Sequence, residues 1–129
     1  MNIPANETIE KYLDPYQQVD IACSPTGGFI VWRRGTGLNV ELLHLKVTTE
    51  REGEGQALFL QMLRRLQAKP PYESIFGFTR VSNTAAQSFY LKMGFVLQTV
   101  LGVYADGEAI LFTETYDRLK QKWRKEMSR

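Results

Sequence analysis

The chain is short of several things, and each shortage removes a class of protein. It has one cysteine, Cys23, so no internal disulfide can form. No apolar run approaches the roughly 20 residues that a membrane-spanning helix needs. The opening stretch, MNIPANETIEKYL, has no basic segment followed by an apolar one, so no signal peptide is expected. The net charge is only +2, too small by itself to argue for a nucleic-acid partner. No glycine is followed by a Lys-Ser or Lys-Thr pair, which excludes a P-loop. Together these absences lead to the expectation of a cytoplasmic protein with no membrane partner.

What is present is ordinary for a folded domain. Of 129 residues, 43% are hydrophobic and 23% charged, a balance that excludes a disordered chain. That length fits one domain over residues 1–129 and lets it bury about two-thirds of its unfolded surface. Cys23 stands in an apolar stretch with Val19, Ile21 and Ala22, which suits an inert buried thiol better than a nucleophile.

Local signals divide the chain. Asn6 can cap a short helix within residues 1–18, closed by Asp14-Pro15. Three strands follow, at Val19–Cys23, Phe29–Trp32 and Leu38–Val47, separated by SPTGG and RRGTG turns. They predict an antiparallel meander. The apolar residues of ALFLQMLRRLQA form a broad helical stripe. Ser74–Val81 predicts a strand, and Asn83 caps a helix over Thr84–Met93 with Gly94 after it. Asp106-Gly107 turns one final strand into another. Strand, helix, strand around the first long helix predicts a parallel pair. A basic amphipathic helix over residues 116–129 ends the chain.

The stretch TTEREGEGQALFLQML poses a problem. Gly53 and Gly55 stand before a helix, as in an anion-binding loop, yet Glu50, Glu52 and Glu54 are interleaved with them. A plain turn explains the glycines alone. A phosphate site also explains them, because the first turn of a helix has unpaired N–H groups and carries about half a positive charge. Backbone amides can then hold an anion while the glutamate side chains point elsewhere. Leu58 stands where a dinucleotide fingerprint needs a third glycine or alanine.

Val81–Phe95, VSNTAAQSFYLKMGF, resembles the signature of the GNAT family of acetyl-CoA-dependent N-acetyltransferases, with Asn83, Ala86, Tyr90, Gly94 and Phe95 in register. The family's second motif, Gln/Arg-x-x-Gly-x-Gly/Ala after a strand ending in Val, is matched after Val47 by Glu52, Gly53, Glu54, Gly55, Gln56 and Ala57. The leading Gln/Arg is replaced by Glu52. The resemblance covers residues 19 to 115. It implies an α/β (α+β) fold, a mixed sheet flanked by helices and splayed between the strand ending at Val47 and the strand from Ser74. Acetyl-CoA would lie in that V as cosubstrate, with no metal. Its diphosphate would sit on the amides of Glu52, Gly53, Glu54, Gly55, Gln56 and Ala57. Its pantetheine arm would pair with Leu45, Lys46 and Val47 and touch Asn83.

The same resemblance implies an amine acceptor and two catalytic residues. Tyr90 matches the family's proton donor to the departing thiolate; its other reading is a packed core ring. Glu41 resembles the family's base glutamate; its other reading is an ion-paired strand residue. In a regular strand Glu41 shares a face with Leu43, Leu45 and Val47, and His44, the one histidine, faces the other way. Family members place a strand and two helices before the meander, where about 18 residues stand here. That shortening implies an open acceptor site suited to a protein or peptide amine, or one completed by a homodimer. The tail helix either caps the domain's own sheet or meets a partner; no base-reading pattern accompanies its six basic residues, so nucleic acid is not expected. The alternative function is a catalytically degenerate GNAT-like binding or structural protein, and a transferase of longer acyl chains is a third.

Overall fold

The computed structural model describes residues 18–48, 53–68 and 71–128. Three strands open the described chain, β1 (Val19–Cys23), β2 (Phe29–Arg34) and β3 (Asn39–Lys46). Helix α1 (Glu54–Gln67) leads to β4 (Ser74–Arg80), and α2 (Thr84–Met93) to the hairpin of β5 (Val96–Tyr104) and β6 (Gly107–Thr115). Two short helices follow, α3 (Tyr116–Lys122) and α4 (Arg124–Met127). The expected first helix, capped by Asn6, lies outside the described residues.

The six strands form one sheet in the order β1-β2-β3-β4-β6-β5. The first three make the antiparallel meander, and β3 pairs with β4 in parallel, as α1 between them requires. That parallel ladder is short: only Asn39–Glu41 face Ser74–Phe76. β3 goes on pairing with β2 as far as Lys46, while β4 goes on pairing with β6 as far as Arg80. The two halves of the sheet therefore part beyond Glu41. This is the expected mixed, splayed α/β architecture.

One core sits on the helix side of the sheet. Ile30, Trp32, Val40, Leu42 and Ile75 meet Leu58, Phe59, Met62, Leu63 and Leu66 of α1 and Tyr90 and Met93 of α2. Burying each such side chain contributes about 1.5–3 kcal/mol. The opposite face carries a smaller cluster on Phe29 and Val31, with Cys23 packed against it at intermediate exposure.

The tail closes the same core. Tyr116, Leu119 and Trp123 are buried in it, and the Trp123 indole N–H donates to the Met93 carbonyl at 2.8 Å. Arg64 of α1 donates to the carbonyls of Glu126 and Met127. The single tail helix expected from periodicity is two short ones, because Trp123 leaves helical geometry to seat its ring. Its apolar stripe covers the domain itself. Among the described residues no helix is long and apolar enough to cross a membrane.

Candidate active site in the sheet cleft

The cleft begins where β3 loses β4. From Leu42 onward the β3 backbone has no ladder partner on its β4 side among the described residues. The N-terminus of α1 stands beside this edge. Gly53 precedes the helix at φ 70°, a left-handed conformation that glycine adopts without a Cβ penalty. Its carbonyl accepts the first helical bond, from Ala57 N–H at 3.0 Å. The earlier amides lie outside the helical ladder, and among the described residues no protein oxygen takes the N–H of Gly55 or Gln56. A Cβ on Gly55 would stand 2.9 Å from Phe89 and 3.3 Å from Val47, so glycine lets the α1 N-terminus seat against both β3 and α2.

Helix α2 forms the other wall. The Asn83 side-chain oxygen accepts from Ala86 N–H at 3.0 Å, and Gly94 ends the helix at φ 113°. Asn83 also stands on the wall of the cleft.

The resulting groove has a volume of about 480 Å³, within the range of about 300–1,000 Å³ usual for small-molecule sites. Leu45, Val47, Gly53, Gly55, Gln56, Asn83 and Tyr90 line it, so residues of both sequence motifs converge on one cavity. Ala85, Ala86, Ser88, Phe89, Lys92 and Met93 complete the wall. Of these, Phe89 and Lys92 carry no separate signal in the sequence, and neither stands three or four residues from Asn83 or Tyr90. Lys46, Glu54 and Ala57 are not on the lining. Glu52 lies outside the described residues.

Tyr90 is buried with one edge on the groove. Its ring stacks on Phe112 with centroids 3.7 Å apart and meets Phe95 and Phe89 edge-on. The packed-ring reading of Tyr90 holds, and the residue also lies on the groove lining. Burial pushes its phenol well above the ordinary 10.0, so the hydroxyl keeps its proton throughout the neutral range.

A β-bulge corrects the expected facing of β3. Val31 pairs with His44 but Trp32 with Leu42, leaving Leu43 as the extra residue. Cross-strand partners share a face, so His44 and Glu41 lie on the same side, with Val31 and Arg33. His44 stacks on Phe29 at 5.4 Å. Leu45 turns to the helix side with Ile30. A regular strand would have given the opposite assignment for His44 and for Leu45. The Glu41 Oε1 accepts from Arg33 Nε at 3.0 Å and Nη2 at 2.8 Å, and Glu41 is absent from the groove lining.

Of the three glutamates interleaved with the glycines, Glu50 and Glu52 lie outside the described residues, and Glu54 is absent from the groove lining. Its side chain turns inward, 8% exposed, toward the β1–β2 turn. The carboxylate accepts from the hydroxyls of Ser24, Thr26 and Thr48 and from Thr48 N–H. Burial acts to raise its pKa, but these hydrogen bonds outweigh it and hold the group at about 2, against an ordinary 4.5. A depressed pKa gives stability that is complete above 4.5 and is lost as pH falls toward about 2. The wild-type unfolding midpoint should therefore fall more steeply across that window than the midpoint of Glu54→Gln. Parallel urea titrations check this; equal slopes would refute it.

No protein-family model and no curated protein matches the sequence. Solved structures do. A protein described as a GNAT-family acetyltransferase from Desulfovibrio desulfuricans superposes with TM-score 0.69 at 16% identity, over 84% of this chain and 76% of its own. Ard1 from Thermoplasma volcanium gives 0.66 at 22% identity, over 83% and 76%. The PaiA N-acetyltransferase from Thermoplasma acidophilum, in complex with coenzyme A, gives 0.63 at 20% identity, over 78% and 63%. At these identities the likeness speaks for architecture, and the splayed sheet with its glycine-led helix is the fold of the GNAT acetyltransferases.

Proposed function

We propose that the protein is an N-acetyltransferase that moves an acetyl group from acetyl-CoA to a primary amine. The observation that carries this reading is the convergence of two distant motifs on one groove, with Gly53, Gly55 and Gln56 at the start of α1 on its lining. A diphosphate suits the amides there, since a helix N-terminus offers both unpaired donors and a favourable dipole. A pantetheine arm suits the β3 edge at Leu45, Lys46 and Val47, which lies beyond the last β3–β4 ladder pair, Glu41 with Phe76. The coenzyme A held by the PaiA structure supports the same ligand for this fold.

In the proposed reaction the neutral amine nitrogen bonds to the acetyl carbon, the carbon–sulfur bond breaks, and the sulfur takes a proton. Tyr90 is the proposed proton source, being the one phenol on the groove wall among the described residues. The proton lost by the amine returns to solvent or to the phenolate. A strand N–H of β3 is the proposed donor to the carbonyl oxygen. Glu41 as general base requires the acceptor to approach from the face opposite the groove, beside Arg33. A protein or peptide amine is the proposed acceptor class.

Isothermal titration with acetyl-CoA tests the reading. Saturable binding with a Kd between about 1 μM and 1 mM is expected, in the range usual for enzyme substrates. No heat at millimolar ligand would leave a GNAT-like binding or structural protein instead.

A further inference from the structure

The geometry points to Glu54 as a positioning residue for diphosphate binding: its carboxylate ties the α1 N-terminus to the β1–β2 turn and so fixes where the Gly55 and Gln56 amides point. This rests on the proposed acetyl-CoA reading and adds a side-chain determinant of affinity at a position that the glycine motif leaves open.

Three observations carry it. First, the side chain spans elements far apart in sequence. Ser24 and Thr26 stand in the β1–β2 turn, Thr48 follows β3, and Glu54 is the first residue of α1. One carboxylate thus joins the hairpin, the end of the strand and the start of the helix. Secondly, the fit is close. Ser24 Oγ also accepts from Gly28 N–H at 2.9 Å, and a Cβ on Gly28 would lie 2.6 Å from Glu54 Oε2. Nothing larger than glycine passes the carboxylate there. Thirdly, the tie lies off the groove: Ser24, Thr26, Thr48 and Glu54 are all absent from its lining. Glu54 acts on a bound anion through the helix, not by touching it.

A tie and a charge make opposite predictions. The Glu54 negative charge near the helix N-terminus competes with a second anion there. If charge alone mattered, removing it in any way would strengthen coenzyme A binding. If the tie matters, shape must be kept: glutamine can still accept from the hydroxyls and alanine cannot.

The experiment compares wild type, Glu54→Gln, Glu54→Ala and the double variant Ser24→Ala/Thr26→Val. Coenzyme A binding is measured by calorimetry and acetyl transfer by CoA release, well below every melting temperature. Glu54→Ala and the double variant should each weaken coenzyme A about tenfold and raise the KM for acetyl-CoA in step, with kcat within about twofold. Glu54→Gln should bind within about threefold of wild type. Unchanged Kd in both Glu54→Ala and the double variant, with melting temperature alone reduced, would overturn the inference. Equal tightening in Glu54→Gln and Glu54→Ala would overturn it too. Absence of coenzyme A binding by the wild type would instead defeat the proposed function, and the positioning role with it.

Discussion

Replacing Tyr90 with phenylalanine should lower kcat at least tenfold while the protein stays folded and binds acetyl-CoA as before. The argument separates ring from hydroxyl. The ring is held by Phe112 stacked at 3.7 Å and by edge contacts with Phe95 and Phe89, all of which phenylalanine keeps. The melting temperature should therefore barely move. In the proposed reaction the hydroxyl supplies the proton that the departing sulfur needs, and loss of a general acid typically costs about 10²–10⁴-fold. Because burial keeps the phenol protonated well past neutrality, the wild-type rate should show no loss of this acid between pH 6 and about 9. Measuring kcat and KM separately decides the matter. A fall in kcat at constant KM fits a group acting only in the chemical step. Unchanged kcat would remove Tyr90 from the mechanism and leave it as a core ring.

Truncating Phe112 to alanine should be the most destabilising change at the centre of the domain. Phe112 is fully buried on β6, flanked by Tyr90 and Phe95. Phe→Ala in a core costs about 3–5 kcal/mol, from lost transfer free energy and the cavity left behind. Whole-domain stabilities are about 5–15 kcal/mol, so this one change removes a large share. A second consequence follows from position. Phe112 is the surface on which Tyr90 lies, so the Tyr90 ring gains freedom to leave the groove wall. Urea unfolding should show a large drop in midpoint at constant slope. In the fraction that remains folded, kcat should fall with it. Phe112→Leu, which refills most of the volume, should recover stability more fully than kcat, because an aliphatic side chain gives no stacking face. Loss of stability without any effect on kcat would mean that Tyr90 is held from elsewhere.

Much of the fold was legible because its signals are local. Helix α2 runs over Thr84–Met93 as expected, since an asparagine able to accept from an amide and a glycine tolerant of positive φ bound it. The β1 strand and the Asp106-Gly107 turn are equally local. The parallel β3–β4 pair followed from a helix between two strands. The two motifs could be placed on one groove only through a resemblance to a known family. The sequence pattern by itself gives each motif a helix N-terminus or a capped helix, and no distance between them.

Tertiary structure alone decided three further matters. The extra residue Leu43 in β3 sets which face Glu41, His44 and Leu45 occupy; a period of two cannot announce where it slips. Trp123 breaks the tail helix to reach a carbonyl on α2, a contact across 30 positions. Glu54 looked like an obstacle to anion binding because its partners, Ser24 and Thr26, stand about 30 residues earlier in an unremarkable turn. Chain-local chemistry thus determined the elements and their ends. Where a charged side chain points depends on which hydroxyls the folded chain brings to it, and that is settled only when the sheet and the helix meet.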